Sequence, residues 1–177
     1  LSVCFSSESI SQDLTPQIEP ETFSGFTEEK KYSEGKEIIV VTANDYATKI
    51  GFEILEKGGS VADAAVAIQL TLGLVEPQSS GLGGGMFITY FDSDSKEVLS
   101  YEGREKAPIR IKNNIFLNKN GKPKKFFEAA IGGASVGVPS SLETLKKIHT
   151  DYGKLKWEET IKPVIELSKN GFIPPNR

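Results

Sequence analysis

The sequence predicts a helix-rich α+β fold. Three observations predict it: an amphipathic helix followed by a nearly all-apolar one, two β-prone runs joined by a polar turn, and two further amphipathic helices in the C-terminal part. Together these patterns are typical of an α+β domain with a modest core.

The composition suits one domain preceded by a polar leader. The chain has 177 residues, 38% of them hydrophobic, and a net charge of −3, which argues against nucleic acid as a partner. Cys4 is the only cysteine, so no internal disulfide is possible, and no apolar run is long enough to predict a membrane span. Residues 1–36 are polar without an apolar period and are predicted to be a disordered leader, with the ordered domain at 37–177. The opening residues 1–7 fit a signal-peptide remnant, an alternative start or an ordinary polar end.

The first ordered elements are predicted to be a strand and an amphipathic helix. Residues 37–43 are rich in β-branched side chains and predict a buried strand. Asn44 or Asp45 then caps a helix that ends at Gly58-Gly59. The apolar stripe of that helix consists of Ala47, Ile50, Gly51, Ile54 and Leu55.

A second helix is predicted to lie in the core. It starts at Ser60, which together with Asp63 three residues later forms a capping-box pattern. From Ala64 to Val75 the helix is apolar nearly all round, so it must be covered on most sides.

A glycine-rich loop precedes a predicted hairpin of strands at 86–91 and 98–101, joined by the turn 92–96. The loop holds four glycines in five positions, Gly81 and Gly83–Gly85. A dinucleotide-binding loop follows a strand and precedes a helix, which is the opposite order, and a Walker loop needs Gly-Lys-Ser/Thr at its end. The glycines are therefore interpreted as a structural device that permits positive φ and lets a strand enter tightly against its neighbours.

Two helices are predicted after a lysine-rich surface loop to Lys125 and a glycine-dense connector at 132–139. The first helix is expected to begin with a capping box between Ser140 and Glu143. Its apolar stripe consists of Leu142, Leu145 and Ile148.

The last helix is predicted from about Trp157 to Gly171. Pro163 is expected to kink it or to mark a restart. Its apolar side is predicted to consist of Ile161, Val164, Ile165 and Ser168.

His149 is the only histidine and is interpreted as a solvated surface residue. Its helix also carries lysine and aspartate side chains, and no Gly-x-Ser-x-Gly nucleophile motif accompanies it. A zinc site would need several histidine or cysteine ligands, so none is predicted.

Arg104 is the candidate binding residue. It directly follows a predicted strand in the segment YEGREKAP at 101–108. A guanidinium can hold a carboxylate through two parallel hydrogen bonds. The alternative is an ordinary surface arginine paired with a neighbouring glutamate.

Four motifs in this order resemble the gamma-glutamyltranspeptidase family. They are GG-x-x-x-DAA at 58–65, SSG-x-GGG at 79–85, GRE-x-AP at 103–108 and YGKLKW at 152–157. The resemblance covers about residues 38–173 and corresponds to the front part of that family's large subunit.

The resemblance implies an N-terminal-nucleophile hydrolase fold, a four-layer αββα sandwich of which this chain is a helix-rich N-terminal part. In that family a precursor cuts itself, and the freed threonine of the small subunit attacks glutathione with its own α-amine as base. The γ-glutamyl group then passes to water or to an amino acid. No cofactor or metal is implied. The implied partners are glutathione or other γ-glutamyl compounds, the rest of the large subunit and the small subunit, in a periplasmic or extracellular location.

The resemblance assigns Arg104 to the α-carboxylate of the glutamyl substrate, and the loop at 79–85 to a structural role near the site. It assigns no catalytic residue to this chain, because the Thr-Thr-His start of the small subunit is absent. Two hypotheses follow. The chain is either the N-terminal portion of a glutathione-cleaving enzyme that needs the remainder for activity, or a truncated, catalytically silent fragment or binding scaffold.

Overall fold

The computed structural model describes residues 34–174. The predicted leader at 1–36 therefore lies outside the described residues, apart from its last three positions. The helices and strands of the described part are α1 (Asp45–Glu56), α2 (Val61–Val75), β1 (Met86–Phe91), β2 (Val98–Gly103), α3 (Phe126–Ala130), α4 (Ser141–Tyr152) and α5 (Trp157–Asn170).

Helices α1 and α2 begin where their caps were predicted. The Oδ1 atom of Asn44 accepts a hydrogen bond from the backbone N–H of Tyr46 at 3.0 Å. At the start of α2, Ser60 Oγ accepts from the N–H of Asp63, and Asp63 Oδ2 accepts from the N–H of Ser60, which confirms the capping box. The two helices pack on each other, and their shared core consists of Ile50, Ile54, Ala64 and Ala67.

The prediction that α2 is a core helix is confirmed. No residue from Ala62 to Glu76 is exposed, because α1, α4 and α5 all pack against this helix. Two of its polar side chains bind acceptors that lie close by in the sequence. Thr71 donates to the carbonyl of Ala67 at 2.7 Å, and Gln69 donates to Ser80 Oγ at 2.7 Å.

The predicted hairpin is confirmed, with β2 reaching Gly103. The strands pair antiparallel, with Met86 opposite Gly103 and Phe91 opposite Val98. Helix α4 packs against β2. The side chains that alternate outward leave Phe87, Phe91 and Val98 at least 58% exposed. One face of this two-stranded sheet is therefore uncovered within the described residues, and half of its side chains are apolar.

The predicted strand at 37–43 is wrong for this structure. No strand is assigned between residues 34 and 44, although Ile38 and Val40 are half-buried and Ile39 and Val41 are exposed in alternation. A strand requires a hydrogen-bonded neighbour, and no other segment among residues 34–174 pairs with this one. The β-branched side chains of residues 37–43 are suited to the surface of a sheet, but they do not determine whether a neighbouring strand is present.

Two details of α4 differ from the sequence expectation. Ser140 stands at the N-cap position, but its side chain makes no capping hydrogen bond, so the predicted capping box with Glu143 is wrong. Leu142, expected in the apolar stripe, is 48% exposed, whereas Leu145 and Ile148 are buried as predicted. The hydroxyl of Ser140 donates instead to the backbone carbonyls of Gly103 and Arg104.

Helix α5 is one element with Pro163 inside it, and no restart is observed. The carbonyl that loses its partner to a proline is that of Glu159, an exposed residue that water can reach. The predicted apolar side is correct for Ile161 and Val164, but Ile165 and Ser168 are exposed. Thr160 takes the most buried place on this helix.

The stretch between β2 and α4 is mostly exposed loop, as predicted. It contains one short helix, α3, which was not predicted, and a single 3₁₀ turn at Gly133–Ser135. Within residues 34–174, no helix combines the length and the apolar character that crossing a bilayer requires.

Candidate functional site

A cavity of about 500 Å³ opens between the end of β2, the connector and the start of α4. Its lining includes Tyr101, Arg104, Lys106, Ser140, Glu143 and Lys147. The cavity therefore presents charges of both signs from two elements that are far apart in the sequence. The predicted binding residue, Arg104, is among them.

Arg104 follows the last residue of β2 and keeps its guanidinium largely free for a ligand. Its side chain is 58% exposed, and its Nη1 atom lies 3.4 Å from Oε2 of Glu105. The structure thus shows features of both alternatives for Arg104, because its guanidinium lies at a cavity and also contacts the neighbouring Glu105. The role of Arg104 in substrate binding stays a prediction.

The glycine-rich loop approaches the backbone around Arg104 closely at one position. A Cβ atom on Gly85 would lie 2.6 Å from the carbonyl oxygen of Gly103, 2.6 Å from Oε2 of Glu105 and 2.8 Å from the Cα of Arg104. By contrast, a Cβ on Gly81 would meet nothing within 4 Å. The close approach predicted for this loop is therefore confirmed at Gly85. The positive φ also predicted for these glycines is wrong, because neither Gly81 nor any of Gly83–Gly85 adopts one.

Ser140 connects three segments at the edge of the cavity. Its Oγ atom lies 2.5 Å from the carbonyl oxygen of Gly103 and 2.9 Å from that of Arg104, and its hydroxyl donates to them. The backbone N–H groups of Ser140 and Ser141 both donate to the carbonyl of Gly84 at 3.2 Å. The start of α4 thus holds both the glycine-rich loop and the end of β2.

A short backbone bridge holds the chain on the other side of Arg104. Lys106 and Val138 exchange backbone hydrogen bonds of 3.4 and 2.8 Å. The connector therefore contacts the chain on both sides of the arginine, through Val138 and through Ser140.

A second polar network lies at the α4 side of the cavity. The hydroxyl of Tyr101 donates to Asp151 Oδ2 at 2.8 Å, and Lys147 Nζ donates to both carboxylate oxygens of Asp151. The hydrogen bonds from Lys147 and Tyr101 hold the pKa of Asp151 below its usual value. Burial, followed by the hydrogen bond to Asp151, raises the pKa of Tyr101. The charge of Lys147 is therefore largely engaged by Asp151.

The prediction that His149 is a solvated surface residue is wrong. Its side chain is only 10% exposed, and its Nε2 atom lies 3.4 Å from Oδ1 of the fully buried Asp63. Its ring meets the ring of Trp157 edge-on at 5.1 Å between centroids. The charged residues that suggested a surface position lie on other faces of α4, whereas the face with Ile148 and His149 packs inward.

Asp63 takes part in the predicted capping box of α2 and also binds the loop before α5. Its Oδ2 atom accepts hydrogen bonds from the N–H groups of Ser60, Lys154 and Leu155, and from the hydroxyl of Ser60. Burial by itself raises the pKa of Asp63, but these backbone hydrogen bonds outweigh it and keep the pKa below its usual value. The contact between Asp63 and the loop before α5 spans about ninety residues, so no local pattern could have revealed it.

Within the described part of the chain, no group of three or more histidine, cysteine, aspartate or glutamate side chains is arranged to hold a metal ion.

Known proteins are similar to this chain over most of its described part. A sequence profile described as gamma-glutamyltranspeptidase matches residues 47–175. A glutathione hydrolase proenzyme from Bacillus subtilis (strain 168) is 39% identical over 147 residues, which is 83% of this chain and 25% of the relative. The chain thus spans about a quarter of the length of this curated relative.

Two solved structures share the architecture. The gamma-glutamyltranspeptidase of Helicobacter pylori superposes with a TM-score of 0.73 and 31% identity, over 80% of this chain and 40% of the other. The gamma-glutamyltranspeptidase of Pseudomonas nitroreducens, solved in complex with L-DON, gives a TM-score of 0.71 and 33% identity over 76% and 39%.

Proposed function

Because the chain belongs to the gamma-glutamyltranspeptidase family, we propose that it is the N-terminal portion of an enzyme that cleaves glutathione. The enzyme would transfer the γ-glutamyl group to water or to an amino acid through a threonine of the small subunit, which this segment does not contain. The fold is the α+β fold of the family's N-terminal-nucleophile hydrolases, present here as its N-terminal part. The observation that carries the functional proposal is the position of Arg104, exposed at a cavity.

Arg104 is suited to bind the α-carboxylate of a γ-glutamyl substrate. Its contact with Glu105 is a single one of 3.4 Å, and the described residues give its guanidinium no other partner. A planar fork of N–H donors therefore remains available for a bidentate carboxylate. If Arg104 binds the α-carboxylate, the γ-carbonyl of the same glutamyl group is held in a defined position for attack by the nucleophile.

The uncovered apolar surfaces support a partner that completes the sheet layers. Phe87, Phe91 and Val98 expose one face of the hairpin, and Ile39 and Val41 are exposed beside α1. A two-stranded hairpin with large apolar side chains exposed on one face is marginally stable by itself. The remainder of the large subunit and the small subunit would cover these apolar side chains. The protein would act in the periplasm or outside the cell.

Replacing Arg104 tests the proposal in a full-length protein that carries this segment. With a chromogenic γ-glutamyl amide, Arg104→Ala should raise KM by roughly 30- to 150-fold, because a charge-assisted bidentate contact contributes about 2–3 kcal/mol. Arg104→Lys should raise it less, since lysine keeps the charge but not the fork. Arg110→Ala is the matched control, because Arg110 is also exposed but does not line the cavity. An unchanged KM in Arg104→Ala would refute the proposal.

The coding sequence after Arg177 separates the proposed enzyme from a silent fragment. A reading frame that continues to a Thr-Thr-His start of a small subunit supports the enzyme. A stop codon directly after Arg177, with no activity on the chromogenic amide, supports the catalytically silent fragment or scaffold.

A further inference from the structure

We propose, on the basis of the substrate-binding role proposed above for Arg104, that Ser140 is a positioning residue for this guanidinium. Its side chain touches no ligand-binding atom of Arg104. It acts through the backbone on both sides of the arginine.

Arg104 stands at a point where the sheet no longer fixes the chain. Strand β2 ends at Gly103, the residue before it. Within the described residues the side chain of Arg104 has one ionic contact, to the adjacent Glu105. The direction in which the Cα–Cβ bond of Arg104 starts toward the cavity is therefore set by the backbone conformation at residue 104.

The hydroxyl of Ser140 holds both peptide groups that flank the Cα of Arg104. The carbonyl of Gly103 belongs to the peptide before this Cα and the carbonyl of Arg104 to the peptide after it, and both accept from Ser140 Oγ, at 2.5 and 2.9 Å. A hydroxyl has one proton, so the two carbonyls share it as a three-centre hydrogen bond. Because the two peptide planes define φ and ψ of Arg104, the contact restricts both angles.

Ser140 is itself held firmly. Its N–H donates to the carbonyl of Gly84, and its own carbonyl accepts from the N–H of Thr144 in the first turn of α4. The backbone bridge between Lys106 and Val138 fixes the connector two residues before Ser140. The hydroxyl is thus presented from a rigid helix start.

The hydroxyl of Ser140 does not cap helix α4, although serine usually has that role at this position. At a helix N-cap a serine side chain accepts from an N–H of the first turn, and Ser140 makes no such bond. Its backbone angles of −133° and −1° also differ from the extended conformation of Asn44 and Ser60 at the other caps. The group is therefore committed to the carbonyls around Arg104.

The test compares Ser140→Ala with Ser135→Ala in the full-length protein. Ser135 is a matched control, because its hydroxyl also donates to two carbonyls, those of Ala130 and Gly132, but does not line the cavity. Ser140→Ala should raise KM for a γ-glutamyl amide about fivefold, the effect of one net hydrogen bond, with kcat changed less than about twofold. Ser135→Ala should leave both constants unchanged.

A substrate analogue and a double variant exclude a general loss of stability. When the α-carboxylate of the substrate is replaced by a carboxamide, Ser140→Ala should have little further effect, because Arg104 no longer has its anion. Likewise, adding Ser140→Ala to Arg104→Ala should not raise KM further. Equal effects on both substrates, or additive effects in the double variant, would overturn the inference. If Arg104→Ala raises KM and Ser140→Ala does not, the inference fails and the proposed function stands; if neither raises KM, the proposed function itself fails.

Discussion

Asp63 is a buried charge that joins the start of α2 to the loop before α5, and replacing it should cost much of the stability. The residue is fully buried, and one of its oxygens accepts from the amides of Ser60, Lys154 and Leu155. Asn has the same shape and keeps one acceptor oxygen for these amides, but carries no charge. Ala offers no acceptor at all.

The magnitude follows from the three amide contacts. A hydrogen bond to a charged group contributes about 1.5–3 kcal/mol and a neutral one about 0.5–1.5 kcal/mol, so each contact weakens by about 1 kcal/mol in Asp63→Asn. We therefore expect a loss of roughly 3 kcal/mol for Asn. For Ala, three N–H groups lose their acceptor at about 1–3 kcal/mol each, which approaches the whole stability of a typical domain of about 5–15 kcal/mol.

Urea titration of the 177-residue chain measures this loss. Trp157, the only tryptophan, lies edge-on against His149, which itself contacts Asp63, so its fluorescence reports on this junction. Asp92→Asn is the control, because Asp92 also accepts hydrogen bonds from the N–H of Asp94 and the hydroxyl of Ser95 but lies in an exposed turn. A loss below about 1 kcal/mol at pH 7 for Asp63→Asn, or one equal to that of the control, would refute the reasoning.

The pH dependence gives a second readout with a defined sign. The pKa of Asp63 is lower in the folded state than its usual value, so its ionisation stabilises the fold above about pH 4 and that stabilisation is lost as the pH falls through the folded pKa. Asp63→Asn has no such group. The difference in unfolding free energy between the two proteins should therefore shrink below about pH 4, and a constant difference would contradict the assignment.

Two further substitutions test the packing around the site and at the first helix. Gly85→Ala should cost about 1–3 kcal/mol in a thermal or urea unfolding experiment, because its Cβ would overlap the carbonyl of Gly103, whereas Gly81→Ala should be nearly neutral; equal effects would contradict the close approach. The Nδ2 atom of Asn44 donates to the buried carboxylate of Glu76 at 2.8 Å. An aspartate at this position would still cap the helix, but its carboxylate would lie against that of Glu76, which has the same charge. Asn44→Asp should therefore destabilise more than Asn44→Ala at pH 7, and the reverse order would show that capping dominates.

Most of the elements could be predicted because local patterns determine them. The helix caps at Asn44 and Ser60 depend on side chains within three residues of the amides they bind, and α2 is apolar nearly all round from Ala64 to Val75. The hairpin at 86–103 joins neighbouring strands through a short turn. The position of Arg104, directly after a strand, was equally visible from the sequence.

The failed predictions concern residues whose partners lie far away in the chain. Residues 37–43 have the composition of a strand, but pairing depends on a neighbour that the described segment does not supply. His149 has charged neighbours in sequence, yet it packs against Asp63 from another helix. Ser140 has the sequence of an N-cap, and its hydroxyl binds carbonyls some 36 residues earlier.

The sequence by itself determined helices α1, α2, α4 and α5 and both strands of the hairpin, where two of the helices begin, and which arginine follows the strand. Only the tertiary structure decided which buried polar groups satisfy one another, and so which residues hold Arg104 and the α2–α5 junction in place. The physical reason is that helix and turn propensities act over a few residues. A hydrogen bond to a buried carboxylate or carbonyl, by contrast, is settled by whichever donor the packing of distant elements brings within about 3 Å.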